Sequence, residues 1–109
     1  MEINRVPFTN IVWVDQPVTE SKGETGISFS RTVQNGNISV RMVEFSPGYR
    51  ADHWCARGHV VLVLEGTLIT ELEDGRTFLT TVGNSFQVGD QDGRHRVCTQ
   101  LGAKVFIVD

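Results

Sequence analysis

The chain has 109 residues, 39% of them hydrophobic and 21% charged, with a formal net charge of −3. That length fits one hydrophobic core and one domain. The acidic balance argues against a nucleic-acid partner, and no apolar run approaches the roughly 20 residues of a membrane-spanning helix, so no membrane partner is expected.

Residues 1–24 are the least regular and read as an N-terminal arm with an edge strand. The opening MEINRVPF has no apolar core followed by a small-residue cleavage site, which points to a cytoplasmic protein. Residues 11–14 (IVWV) read as a short strand. Pro7 and Pro17 flank it and cannot donate to a central ladder, so it is placed at an edge. Residues 15–24 are polar and read as a loop.

From residue 25 to 109 the chain reads as a barrel built on a period of two. Ile27, Phe29 and Val33 alternate with Ser28 and Ser30. Asn35-Gly36 supplies a turn, because both residue types tolerate positive φ. Ile38, Val40 and Met42 continue the alternation, and the apolar parity flips at Val43 and Phe45, as at a bulge or in a strand covered on both faces. An apolar strand follows at residues 60–64. A hairpin around Asp74-Gly75 joins residues 66–72 to 76–82. Short strands follow at 85–88 and 95–99, and residues 103–108 form a strand covered on both sides. No segment keeps the three-and-four spacing of a helix. The class is all-β, with nine or ten short strands arranged as a sandwich or barrel.

Four of the five His and Cys residues fall in two places. His53, Cys55 and His59 lie in PGYRADHWCARGHVVLVLEG, and His95 lies in GRHRV. If the backbone stays extended from His53 to Cys55, both side chains project to one face. Imidazole and thiolate suit zinc, copper and iron, and are poor ligands for magnesium or calcium. Spacing alone fits surface or core histidines and a buried thiol better than it fits an ion. A Cys55–Cys98 bridge is the competing use of both thiols, although two cysteines are too few for a disulfide framework.

The neighbourhood of these residues shifts that balance. Residues 47–66 resemble the first motif of the cupins, which has a Pro-Gly turn, a His, a second His two residues on, a Glu six residues after the first His, and an apolar strand ending in Gly. Residues 83–97, GNSFQVGDQDGRHRV, are similar to the second motif. Asp52-His53-Trp54-Cys55 resembles the small group called DHCW-motif cupin-fold proteins, and that likeness extends over nearly the whole chain. The narrower resemblance implies no particular activity.

The wider one implies a single-domain jelly-roll β-barrel (double-stranded β-helix) with a metal at its mouth, usually as a homodimer. His53 matches the first motif His and His95 the last. Cys55 stands where the second His is expected, and His59 where the Glu is expected. Three neutral imidazoles and one thiolate carry the same −1 as three imidazoles and one carboxylate. The softer set favours a divalent transition metal such as zinc, iron or nickel.

Several neighbours are weighed beside these ligands. Asp52 and Glu65 are available to orient imidazoles, with Glu65 read as a surface carboxylate. Tyr49 and Trp54 either wall a pocket or pack in the core. Arg57, Arg94 and Arg96 are available to an anionic ligand, with Arg94 and Arg96 expected to face outward. Phe86 and Val88 read as barrel filling, and Cys98 as a buried small hydrophobe.

The expected function is a metal-dependent enzyme of the oxygenase, isomerase or lyase kind acting on a small anionic molecule. Asp52 and Tyr49 are its available bases. A non-catalytic ligand- or metal-sensing module is the first alternative. A structural zinc site closed by four protein ligands is the second.

Overall fold

The computed structural model describes residues 2–109. Among them lie eight strands and one 3-10 turn (Trp13–Asp15). The strands are β1 (Thr19–Lys22), β2 (Ile27–Asn35), β3 (Ile38–Phe45), β4 (His59–Leu72), β5 (Thr77–Thr81), β6 (Ser85–Val88), β7 (His95–Cys98) and β8 (Ala103–Val108). All pairings are antiparallel, in the order β1-β2-β3-β8-β4-β5, with β6 and β7 also paired to β4. No helix among the described residues is long and apolar enough to cross a membrane.

The strand β4 belongs to two sheets. Its first half pairs with β6 and β8, and its second half with β5 and β7. The register against β8 shifts between Val63 and Glu65. This bulge reverses which parity faces inward. Val61 and Val63 are buried before it, Leu68 and Thr70 after it. Gly66 makes the bend possible. Its φ is +72°, and a Cβ there would collide with the carbonyl oxygen of Gly102. Residues 60–64 and 66–72 are therefore one bent strand, which lowers the expected count of nine or ten.

The core lies between the sheets. Val63 and Val105 are fully buried and Leu68 is 1% exposed. Burial of such side chains contributes roughly 2 kcal/mol each. Val61, Ile107 and Val43 complete the apolar lining, with Phe45, Phe86 and Val97 packed against it.

The N-terminal expectations need correction. Residues 11–14 form no strand. The Asp15 and Gln16 amides donate to the Val12 and Trp13 carbonyls, which closes a 3-10 turn. The edge of β2 is taken instead by β1, inside the expected loop of residues 15–24, so residues 11–14 have no ladder to join. Trp13 lies edge-on to Phe106 on the outer face of β8, with ring centroids 6.3 Å apart.

Two further details differ. The β2–β3 turn is made by Gly36 and Asn37, one residue later than expected, and only Gly36 takes a positive φ, 55°. The parity flip at Val43 is no bulge, because the register of β3 runs unbroken against both β2 and β8. Arg41, Val43 and Phe45 face inward while Met42 and Glu44 face outward, so β3 is partly covered on both sides.

Candidate metal centre

The loop before β4 meets the start of β7. Cys55 and His95 exchange two backbone hydrogen bonds, of 2.7 and 3.0 Å, as an isolated antiparallel bridge. Directly opposed residues of such a pair send their side chains to one face. His59 opens β4 opposite Val88, and its inward parity brings it to the same place. One ligand atom from each of Cys55, His59 and His95 lies within 4.8 Å of the other two.

The ring nitrogens of the two histidines are constrained. His59 Nδ1 lies 3.2 Å from Asp109 Oδ2, and His95 Nδ1 lies 3.2 Å from the Gly93 carbonyl oxygen. A carboxylate and a carbonyl only accept, so both contacts are hydrogen bonds in the tautomer whose Nδ1 carries the hydrogen. Each neutral ring then presents a bare lone pair at Nε2. Those two Nε2 atoms face one another at 2.7 Å. Two lone pairs at that distance repel unless a cation lies between or beside them. The rings meet edge-on, 86° apart, with centroids separated by 4.9 Å. Burial pushes the His59 imidazole below its usual range; the Asp109 contact pulls it partly back, and His95 pushes it down again.

Asp109 is the residue that sequence reasoning missed. Its side chain is 1% exposed and also meets Arg41 Nη2 at 2.7 Å and Arg57 at 3.4 Å. Its backbone exchanges hydrogen bonds with Ser39 on β3, which fixes its place. It lies 50 residues from His59, so no local pattern signals the contact.

His53 lies apart from the group formed by Cys55, His59 and His95. The backbone bends at Asp52 and His53, which breaks the extended parity the expectation required. The His53 side chain is 78% exposed and hydrogen-bonds Asp52 Oδ1 at 2.7 Å. That bond holds the Asp52 carboxyl below its usual range. Asp52 therefore orients an imidazole, though not one in the cluster.

The two cysteines are free. Cys98 opposes Ile69 on the outer face, 3.9 Å from Glu71 Oε1, and burial pushes its thiol up, with the Glu71 charge adding to the effect. The alternative bridge to Cys55 does not form.

The other candidates divide. Tyr49 packs on Phe45, with centroids 4.6 Å apart, and lines the same cavity as the cluster; burial and the Asp52 charge raise its phenol above the ordinary value. Trp54 lies under the Arg96 guanidinium, 4.5 Å from its ring centroid. Arg96 also meets Glu71 at 3.2 Å, and Arg94 meets Glu73 at 3.2 Å. Glu65 is exposed opposite Lys104. Phe86 packs against the core and His95.

The cluster opens into a cavity of 450 Å³ lined from every strand but β5, and bordered too by Asp52 and His53 of the loop before β4. A second depression of 610 Å³ lies beyond Phe86 and His95 and touches only His95 of the cluster. The donor set of one thiol and two imidazoles suits a borderline-soft divalent ion, and the converging lone pairs fit one.

No family model matches the chain, and no curated protein does. Solved structures do. A predicted oxalate decarboxylase from Thermotoga maritima superposes with a TM-score of 0.75 at 8% identity, over 92% of this chain and 96% of that one. A cupin domain from Bordetella pertussis Tohama I gives 0.62 at 20% identity, over 84% and 96%. The chain has the cupin fold. The iron(II) protein Fe(II)-HppE, solved with an alternative substrate, gives 0.75 at 13% identity over 94% of this cupin-fold chain. This chain spans 60% of that protein. Identities this low speak to fold and carry no activity across.

Proposed function

We propose that this cupin-fold chain holds one divalent transition ion through Cys55, His59 and His95 and acts on a small anionic molecule as a metal-dependent enzyme. The observation that carries the reading is the 2.7 Å approach of two Nε2 atoms whose Nδ1 atoms are both committed to acceptors. Relative to the four-ligand expectation, one neutral imidazole is lost and the net ligand charge of −1 is kept. Zinc, iron and nickel all accept this donor set.

Three protein ligands would favour an enzyme over a closed structural zinc site, because a four-coordinate ion held by them would not be closed by protein alone. When bound, such an ion supplies Lewis acidity, or dioxygen activation if it is iron, as oxygenase, isomerase or lyase chemistry requires. The chain's own residues do the rest. Asp109 holds His59 in the ligating tautomer. Arg41, on the cavity wall, supplies positive charge for the substrate. Tyr49 stands in the cavity as a protonated phenol.

The DHCW-type grouping, a cytoplasmic location and a homodimer belong to the same reading. Exposed apolar residues on the arm support pairing: Phe8 is 99% and Val14 77% exposed.

Cobalt(II) titration tests the ligand set. The parent should develop an intense thiolate-to-cobalt charge-transfer band at one equivalent. Cys55→Ser should lose the band, and His53→Ala should keep it with affinity changed less than about threefold, as for a residue outside the cluster. A band that survives Cys55→Ser, or vanishes in His53→Ala, overturns this assignment.

A further inference from the structure

We infer that the cavity beside the Cys55–His59–His95 cluster takes a small hydroxylated carboxylate, its hydroxyl groups met by a wall of serines and its carboxylate drawn to Arg41. The inference rests on the reading of this cavity as the ligand chamber and names what that chamber accepts.

The wall follows from the register. On β2 the apolar residues Ile27, Phe29 and Val33 turn outward. Ser28 lies opposite Phe45 and Ser30 opposite Val43, both of which point into the interior. Paired residues share a face, so Ser28 and Ser30 occupy inward positions. On β1, Ser21 lies opposite Ser28 and extends the patch. All three border the cavity, and Ser28 is 8% exposed. Apolar side chains there would enlarge the core, so the fold gains nothing from hydroxyls at these positions.

Ser28 reaches the Tyr49 hydroxyl, and the remaining contacts of these serines are long ones to backbone. Ser28 Oγ donates to the Ser21 carbonyl at 3.5 Å, and Ser30 Oγ to the Thr19 carbonyl at 3.4 Å. Good hydroxyl bonds are about 2.7–2.8 Å, so these long backbone contacts leave bonding capacity over, most of all at Ser30. Tyr49 adds a fourth hydroxyl to the same cavity. A hydroxyl both donates and accepts, so it can pair with a ligand hydroxyl in either direction.

The charge lies beside this patch. Arg41 faces inward on β3, and one of its five donors goes to Asp109. Its side chain is 29% exposed, so further guanidinium donors remain open to the cavity. A carboxylate, which only accepts, belongs there. The 450 Å³ cavity accommodates an acid of a few carbons beside the metal ligands.

L-tartrate and succinate are a matched pair of four-carbon dicarboxylates that differ in two hydroxyls. Both are titrated into ¹⁵N-labelled full-length protein, as purified and after chelation, with amide shifts as the readout. Chelation separates the wall from direct coordination by hydroxy acids. Tartrate should bind about tenfold more tightly than succinate in both forms, the worth of one or two net hydrogen bonds. The Ser28 and Ser30 amides should shift.

The double variant Ser28→Ala/Ser30→Ala should lose the preference by weakening tartrate alone. If it does not fold, Ser30→Ala by itself should reduce the ratio severalfold. Equal binding by the parent, no binding of either acid, or a ratio unchanged in the variant overturns the inference. A failed cobalt titration with the tartrate preference intact would instead remove the metal reading and leave the wall standing.

Discussion

His59 and His95 approach at 2.7 Å through their Nε2 atoms, while each Nδ1 faces an acceptor. The arrangement is built from outside the pair. The Gly93 carbonyl sets one tautomer and the Asp109 carboxylate sets the other. A metal-ligating imidazole commonly donates its second nitrogen in this way, which fixes ring orientation and raises basicity.

Asp109 is therefore the sharpest target outside the ligands. Asp109→Ala removes the acceptor at His59 Nδ1 and the partner of Arg41 together. Cobalt affinity should fall by about 10- to 100-fold, the usual cost of losing such an outer contact. Asp109→Asn keeps a carbonyl oxygen for the same nitrogen and should lose less. Equal losses in the two variants would mean that charge, and not tautomer, is what Asp109 contributes.

Protonation gives a second test, on the metal-free protein. The folded pKa of His59 lies below its ordinary value of 6.5, chiefly because the ring is buried. Below that value the unfolded chain takes up a proton that the folded chain resists. The unfolded state then binds more protons, so folding stability falls as pH falls. The contribution is fully present above pH 6.5 and erodes below it until the folded ring also titrates. Urea midpoints measured from pH 7.5 to 5 should decline, and His59→Gln should flatten the decline. A flat parent profile would show that burial does not hold this ring neutral.

The strand period carried most of the fold. The hairpin at Asp74-Gly75 and the strands near 85–88, 95–98 and 103–108 followed from alternation and turn residues. The site was legible only in part. Cys55, His59 and His95 converge, but the parity argument for His53 failed because the backbone bends at Asp52 and His53. Asp109 was invisible because its contacts to His59 and Arg41 close over 50 and 68 residues of chain. The β2 serines were visible as an alternation. Which parity faces inward is decided by the pairing with β3, and periodicity alone does not contain that choice.

The thiols should differ in reactivity. Burial and the nearby Glu71 raise the Cys98 thiol above its ordinary value, so little thiolate forms there near neutral pH. Iodoacetamide at pH 7.5, followed by peptide mass spectrometry, should label Cys55 well before Cys98 in the metal-free protein. Added zinc should slow Cys55 and leave Cys98 unchanged. Zinc that protects neither thiol would remove Cys55 from the ligand set.

The bulge in β4 links fold to site. Gly66 takes a φ of +72° against the Gly102 carbonyl, and the register shift beside it lets Val61 and Val63 face inward before the bend, and Leu68 and Thr70 after it. His59 begins this strand, and His95 pairs with its last residue, Leu72. Gly66→Ala forces a side chain into the left-handed region and against backbone, at a cost of about 2 kcal/mol or more. Relief requires β4 to shift against β8, which would also displace His59 relative to His95. The variant should therefore lose both unfolding free energy, read by urea titration, and cobalt affinity. An exposed-turn control, Gly75→Ala, has open space around its Cβ although its φ is +97°. It should lose stability without losing affinity. Matching affinity losses in the two variants would mean that the bend in β4 does not set the geometry of the cluster.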